Sequence, residues 1–152
     1  MSEPGIIELL LVEDNPQDLE LALRALRKAK LPQSIQIARD GVEALDFIFC
    51  EGAFISRRIT APPKLILLDL KLPKLDGLEV LKRVKGDPRT QMIPVVVLTS
   101  SKEQRDLVES YRLGVNSYIV KPGNIEQFTD AVRDLGRYWL LLNQPPQAAE
   151  QS

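Results

Sequence analysis

The sequence contains no histidine at any of its 152 positions. This absence excludes a Ser/His/Asp triad, a Cys/His dyad, an imidazole zinc site and acid or base catalysis by imidazole. The single cysteine, Cys50, excludes an internal disulfide and a cysteine-rich metal site. Any chemistry at this chain must therefore use carboxylates, hydroxyls, lysine or backbone amides.

Excess positive charge and long apolar runs are also missing. The formal net charge is −1, which argues against DNA as a partner because affinity for the phosphate backbone needs clustered basic residues. No apolar stretch approaches the roughly 20 residues that span a bilayer. The N-terminus lacks the basic region of a signal peptide. We therefore expect a cytoplasmic protein with no membrane partner.

Length and composition predict one globular domain, since domains average about 150 residues and 44% of this chain is apolar. We expect a disordered N-terminus at residues 1–5, a domain at residues 6–142 and a polar tail at residues 143–152. The residues that follow Lys121 are too few for a last helix and an output module. Output through protein contacts is therefore expected.

Five short segments have the composition of β-strands, and helical periodicity fills the gaps between them. The strand candidates are residues 6–12, 35–38, 65–68, 95–98 and 117–120. The first, third and fourth are almost uninterrupted apolar runs, which suits parallel strands covered on both faces. This alternation predicts an α/β, flavodoxin-like (βα)5 fold with sheet order 2-1-3-4-5 and helices on both faces.

Caps and apolar spacing outline the helices. Asn15 is a good N-cap for the first helix, Ser100 or Ser101 could cap the fourth, and Gly114 ends it. The periodic positions are Leu19, Leu23, Leu26 and Lys30, then Val42, Leu45 and Phe49, then Leu78, Leu81 and Val84, then Leu107 and Tyr111. A long final helix is expected from Ile125 to Leu142.

Polar residues occupy the ends of four predicted strands. Glu13 and Asp14 follow the first strand, Asp69 the third, Thr99 ends the fourth, and Lys121 follows the fifth. Ligands bind at the carboxyl ends of strands in an open parallel sheet, so we expect these side chains to converge. A strand-end acid can merely cap the next helix, but that explanation fits the whole set poorly.

Three carboxylates in one pocket repel one another unless a cation is bound. Mg²⁺ takes oxygen ligands and bridges carboxylates to phosphate, and the backbone carbonyl of Lys71 could complete the protein's ligands. Lys121 supplies a positive charge and Thr99 a hydroxyl donor. The set predicts phosphoryl transfer, with an aspartyl phosphate as a natural intermediate.

Four segments in order resemble the receiver domain of two-component response regulators over residues 6–142. They are LLVEDN, LILLDLKLPKLDG, PVVVLTSS and GVNSYIVKP. The resemblance implies a signalling phosphoacceptor rather than an enzyme, in which Asp69 accepts a phosphoryl group from a histidine kinase or phosphotransfer protein. It also implies Mg²⁺ on Glu13, Asp14, Asp69 and the Lys71 carbonyl, contact of Lys121 with the phosphoryl group, and a cis Lys121–Pro122 peptide.

More narrowly, the chain looks like the single-domain regulators that partner bacterial and cyanobacterial phytochromes. This likeness rests on the long connection at residues 51–63, on the segment KGDPRTQMIPVVVLTSS and on the aromatic end Tyr138-Trp139-Leu140. Within the connection, Arg57 and Arg58 could touch a kinase or form a solvated pair. Gly123-Asn124 departs from the family pattern, where an apolar residue is more usual.

The resemblance further implies a switch in which Thr99 moves toward the phosphoryl group and Tyr118 rotates inward. The alternative for Tyr118 is an ordinary amphipathic strand residue. The readout surface would be the fourth helix, fifth strand and fifth helix.

Residues 138–142 are apolar around most of a helical turn, which favours a homodimer through that surface. The alternative is that the extra leucines fold back onto the sheet.

Two other functions remain open from the sequence. The first is a phosphorylation-independent interaction module on the same fold, although every expected pocket position is filled. The second is a Mg²⁺-dependent phosphohydrolase, although such enzymes usually carry Asp-x-Asp after the first strand, whereas this chain has Glu13-Asp14 and a separate Asp69. Flavin binding is weaker still, because acids replace the glycines of a phosphate-binding loop.

Overall fold

The structure, a computed structural model, describes residues 7–32 and 34–146. Five strands alternate with five α-helices: β1 Leu9–Val12, α1 Pro16–Lys28, β2 Ile35–Ala38, α2 Gly41–Ile48, β3 Leu65–Leu68, α3 Gly77–Gly86, β4 Val95–Thr99, α4 Gln104–Leu113, β5 Ser117–Val120 and α5 Ile125–Arg137. A 3₁₀ turn at Gly52–Phe54 follows α2, and a π-helix at Tyr138–Leu142 follows α5. The expected disordered N-terminus, the first residue of the first apolar run and residues 147–152 of the expected tail lie outside the described residues.

All five strands are parallel and lie in the order β2-β1-β3-β4-β5. Successive side chains of a strand point to opposite faces of the sheet, so each apolar run contributes side chains to two hydrophobic cores, one on each face. Leu10 and Leu68 pack into one, while Leu9 and Leu67 pack into the other. The predicted flavodoxin-like fold is confirmed.

The strand register brings the polar strand ends to one edge of the sheet. Val12 lies beside Leu68, and the backbone N–H of Asp69 donates to the carbonyl of Val12 at 3.1 Å. In the same way, the N–H of Lys121 donates to the carbonyl of Thr99 at 2.7 Å. Because pairing continues one residue beyond the strands, the residues that follow them are held in place by the sheet.

Helix ends follow the sequence in part. The side chain of Asn15 caps α1 and Gly114 ends α4 with a positive φ, as predicted. The expectation that Ser100 or Ser101 is the N-cap of α4 is wrong: Glu103 holds that position without a side-chain cap. Ser101 instead accepts the N–H of Glu103 through its hydroxyl. Lys30, placed on the α1 stripe, lies beyond the helix, which ends at Lys28.

The final helix changes its geometry before it ends. It is α-helical from Ile125 to Arg137 and a π-helix over Tyr138–Leu142. The helix expected from Ile125 to Leu142 is therefore not one regular α-helix. Within this turn Leu140 is buried and Trp139 packs against the core. Tyr138, Leu141 and Leu142 remain 50%, 61% and 71% exposed.

The connection at residues 51–63 is fixed by Arg57, which faces inward. Its guanidinium lies 3.7 Å from the centre of the Phe47 ring and donates to the carbonyls of Phe47 and Ala61 and to the sulfur of Cys50. The solvated Arg57–Arg58 pair is therefore wrong, because the Arg57 guanidinium donates within the chain, whereas contact of this segment with a kinase stays a prediction. Arg58 is exposed.

Among the described residues, no helix is both long enough and apolar enough to cross a membrane.

Candidate functional site

An acidic cluster lies at the carboxyl edge of the sheet. Glu13 and Asp69 are buried, Asp14 is exposed, and one carboxylate oxygen from each lies within 4.8 Å of the other two. Carboxylate oxygens are the ligands that hard divalent cations such as Mg²⁺ and Mn²⁺ prefer. The donor set therefore fits such a cation, and the structure brings together the acids that the sequence placed at strand ends.

Lys121, which follows β5 at the same edge of the sheet, balances this charge. Its ammonium nitrogen lies 2.9 Å from a carboxylate oxygen of Glu13, 2.9 Å from one of Asp69 and 2.8 Å from one of Asp18. The lysine side chain is only 8% exposed. Asp18 was missed by the sequence reasoning, because an acid in the first turn of a helix is ordinarily explained by the helix dipole.

Burial and neighbouring charge shift the proton affinities in the pocket. Burial, reinforced by the nearby charge of Asp69, raises the pKa of Glu13 to about 7, although its contact with Lys121 opposes the rise. Burial alone would lower the pKa of Lys121, but hydrogen bonds to Asp18, Asp69 and Glu13 outweigh it, so that pKa is raised. The lysine therefore stays charged at neutral pH in a pocket that holds an excess of acids.

Thr99 and Tyr118 are joined through Ser101. Thr99 is fully buried, and its hydroxyl oxygen accepts the N–H of Ser101 at 3.3 Å. The carbonyl of Ser101 accepts the hydroxyl of Tyr118 at 3.1 Å. The Ser101 hydroxyl donates to Asp106 in the first turn of α4 at 2.5 Å. Ser101 thus links the ends of β4 and α4 to β5, a role that the sequence reasoning did not assign.

Burial raises the pKa of the Tyr118 phenol, and the nearby acids Asp106, Asp69 and Glu103 add to the rise, although the hydrogen bond to Ser101 opposes it. The phenol is therefore neutral at physiological pH and able to donate its proton to a carbonyl.

The turn after Asp69 is shaped by Lys71 and Gly77. The N–H of Lys71 donates to a carboxylate oxygen of Asp69 at 3.2 Å, which orients the acid, while a metal contact of the Lys71 carbonyl stays a prediction. A Cβ on Gly77 would lie 2.3 Å from the carbonyl oxygen of Asp69. Only glycine therefore allows α3 to begin this close behind the acid.

The expected cis Lys121–Pro122 peptide is wrong, since the cis bond among the described residues is Leu31–Pro32. The trans isomer is the lower-energy form of a bond before proline. The Lys121 side chain reaches all three carboxylates from it.

Comparison with known proteins finds close relatives across nearly the whole chain. The probable methanogenesis regulatory protein FilR2 of Methanothrix harundinacea is 42% identical over 145 residues, which cover 95% of this chain and 89% of the relative. The response regulator Rcp1 of Synechocystis is 39% identical over 132 residues, covering 87% of this chain and 88% of Rcp1.

Two crystal structures show the same architecture. The Mn²⁺-bound form of Rcp1 superposes with a TM-score of 0.85 at 38% identity, over 91% of this chain and 97% of the other. The phosphorylated cyanobacterial phytochrome response regulator RcpA gives a TM-score of 0.85 at 41% identity, over 91% of this chain and 96% of the other.

The family model of the response regulator receiver domain matches residues 9–133. This match covers all five strands and the acidic cluster, and it agrees with the sheet order. Receiver domains are signalling phosphoacceptors rather than true enzymes, and this chain is homologous to phytochrome-associated regulators among them. The chain belongs to the response regulator receiver domain family.

Proposed function

We propose that this chain takes a phosphoryl group from a histidine kinase onto Asp69 in a Mg²⁺-dependent reaction. The observation that carries the proposal is the position of Asp69 at the end of a buried strand. Its carboxylate lies against Lys121 and beside Glu13 and Asp14. The family identity and the phosphorylated relative RcpA support it.

The transfer needs no histidine in this chain. A carboxylate oxygen of Asp69 forms a new O–P bond while the P–N bond of the donor's phosphohistidine breaks. The electrons of that bond return to the donor imidazole, which takes up a proton. The Lys71 N–H orients Asp69 for this attack, and the Lys121 ammonium offsets negative charge on the phosphoryl oxygens.

Glu13, Asp14 and Asp69, with the Lys71 carbonyl, would hold the Mg²⁺. When bound, the cation neutralises charge on the carboxylates and the phosphoryl oxygens. The raised pKa of Glu13 reflects how strongly negative charge is disfavoured when it is buried in this pocket. That excess is what a divalent cation relieves.

The signal follows from the network around Ser101. Phosphorylation adds about one negative charge and new acceptor oxygens at Asp69, which attract the Thr99 hydroxyl. Movement of Thr99 removes the acceptor of the Ser101 N–H, and Tyr118 loses the fixed position of its own acceptor. The altered surface is formed by α4, β5 and α5.

We further propose a phytochrome-type kinase as the phosphodonor. RcpA, by its name a cyanobacterial phytochrome response regulator, supports this. FilR2, at 42% identity, bears the name of a methanogenesis regulator and marks the competing assignment. Purified chain incubated with a phosphorylated phytochrome kinase should acquire the label within seconds to minutes. Faster labelling by an unrelated histidine kinase would contradict the phytochrome assignment.

The exposed side chains of Tyr138, Leu141 and Leu142 support a homodimer through the α4–β5–α5 face and residues 138–142. Adjacent exposed apolar side chains of this size mark an interaction surface, and a two-fold dimer is the commonest assembly. Sedimentation with and without Mg²⁺ and phosphodonor measures the assembly and its link to Asp69. A Leu142→Glu variant should sediment as a monomer, and a dimer of unchanged affinity would contradict the proposed interface.

The phosphorylation test uses acetyl phosphate, Mg²⁺ and intact-protein mass spectrometry. Wild type should gain one phosphoryl group in the presence of Mg²⁺ and none when a chelator removes the cation. Asp69→Asn should gain none in either case. A stable label on Asp69→Asn, or labelling without a divalent cation, contradicts the proposal. Equal partner affinity with and without phosphodonor would instead favour the alternative, a phosphorylation-independent interaction module.

A further inference from the structure

Three carboxylates share the ammonium group of Lys121. The contacts to Glu13, Asp18 and Asp69 all measure 2.8 or 2.9 Å. A lysine ammonium carries three N–H donors, so the group has one donor for each carboxylate. A new acceptor on Asp69 can therefore engage Lys121 only if one of the three present acceptors gives way.

The three acceptors differ in whether they also belong to the candidate cation site. Glu13 and Asp69 belong to the acidic cluster that fits a divalent cation, and Asp18 does not. A cation bound in the cluster therefore competes with Lys121 for the oxygens of Glu13 and Asp69 but not for those of Asp18. Asp18 is therefore the acceptor that a cation in the cluster would leave to Lys121.

We propose that Asp18 is a positioning residue for Lys121, one that holds the ammonium group at the phosphorylation site while Glu13 and Asp69 are engaged by the cation. This inference rests on the proposed function of Asp69. Asp18 itself acts through Lys121 and does not contact the reacting atoms. Its own side chain is 28% exposed, so that it can retain water while it accepts from the lysine.

The local structure fixes Asp18 for this role. Its backbone N–H donates to the side chain of Asn15 at 3.0 Å, which anchors the first turn of α1 directly after the end of β1. The contact joins residues 103 positions apart in the sequence.

A purely structural explanation is that Asp18 stabilises the positive end of α1. Glu79 provides a matched control, because it is the acid in the first turn of α3, and its N–H likewise donates to the N-cap side chain, here that of Asp76. If an acid in the first turn were all that mattered, Asp18→Ala and Glu79→Ala would have similar effects.

The first test observes Lys121 directly, without phosphorylation. In ¹⁵N-labelled protein the ammonium signal, assigned by its loss in Lys121→Arg, reports exchange of its protons with water. Wild type should keep the signal after Mg²⁺ is added. Asp18→Ala should keep it in metal-free buffer and show exchange at least about tenfold faster with Mg²⁺, since a hydrogen-bonded ammonium is shielded from water. Asp18→Asn, which retains an acceptor oxygen, should fall between them.

The second test measures labelling of Asp69 by acetyl phosphate. Asp18→Ala should reduce the rate about tenfold, because a small displacement of a catalytic group costs this much or more, while Glu79→Ala should match wild type. Equal exchange and equal rates in Asp18→Ala and wild type would overturn the inference. Failure of wild type to be labelled at all would instead overturn the proposed function, and the ammonium measurement would still decide whether Asp18 holds Lys121.

Discussion

The hydroxyl of Tyr118 donates to the backbone carbonyl of Ser101, 17 residues earlier in the chain, at 3.1 Å. Ser101 also donates its backbone N–H to the hydroxyl oxygen of Thr99 and its own hydroxyl to Asp106. The two residues assigned to the switch are therefore both hydrogen-bonded to Ser101, which is an intermediary between them. A displacement of Thr99 should therefore act on Ser101, and through Ser101 on Tyr118 and on the first turn of α4.

Replacement of Ser101 by alanine should loosen the start of α4. The change removes the hydroxyl that binds Asp106 and receives the Glu103 N–H, and α4 has no other side-chain N-cap. We expect a loss of about 1 kcal/mol in the free energy of unfolding. Amide hydrogen exchange should become faster in the first turn of α4. The exposed neighbour Ser100 is the control, and equal protection of α4 in Ser100→Ala and Ser101→Ala would refute the intermediary role.

Replacement of Ser110 by alanine should stabilise the protein. Ser110 is fully buried on α4, and among the described residues its hydroxyl has no hydrogen-bond partner. Removal of an unpaired buried hydroxyl relieves a desolvation cost of about 1 kcal/mol. In urea unfolding, the midpoint of Ser110→Ala should lie at a higher urea concentration than that of wild type.

A buried hydroxyl with a partner provides the contrast. That of Thr90 donates to the carbonyl of Val84 at 2.7 Å, so Thr90→Val should lose about 1 kcal/mol. A destabilised Ser110→Ala would mean that the hydroxyl is satisfied after all.

The free energy of unfolding should rise with pH between about pH 8 and 10.5 because of Lys85. Burial lowers the pKa of this lysine from 10.5 to about 8, while its nitrogen donates to the carbonyls of Gln91 and Ile93. In that interval the folded chain holds fewer protons than the unfolded chain, so unfolding becomes less favourable as pH rises. Partial solvent exposure limits the expected gain to about 1–2 kcal/mol.

Urea unfolding at pH 7.5 and pH 10 measures this dependence. Lys85→Met should lose the Lys85 part of the rise, whereas Lys82→Met, an exposed lysine of the same helix, should keep it. The same pH dependence in Lys85→Met and wild type would show that Lys85 is not its source.

Replacement of Arg57 by alanine should release the connection at residues 51–63. The variant loses the contact with the Phe47 ring and the donors to two carbonyls, for an expected cost of about 2–3 kcal/mol. Limited proteolysis should then cut within the connection. The matched control is Arg58→Ala, at an exposed position, and equal cleavage of the two variants would contradict an anchoring role for Arg57.

The sequence by itself determined the architecture and most of the pocket. Uninterrupted apolar runs such as residues 65–68 can only be buried on both faces, and their alternation with amphipathic helices leaves a parallel sheet as the solution. Once the sheet is parallel, the polar residues that follow each strand must meet at one edge. Asp69 and Lys121 were therefore predictable from position alone.

Only the tertiary structure decided which side chains from outside the strand ends join that edge. Asp18 reaches Lys121, 103 positions later in the chain, because α1 packs against α5, a tertiary contact that no local pattern encodes. Arg57 has the composition of a surface residue and turns inward because a ring and two carbonyls lie within its reach. Hydrophobic periodicity reports which face of a segment is buried, but the partners of a polar side chain depend on contacts between residues far apart in the sequence.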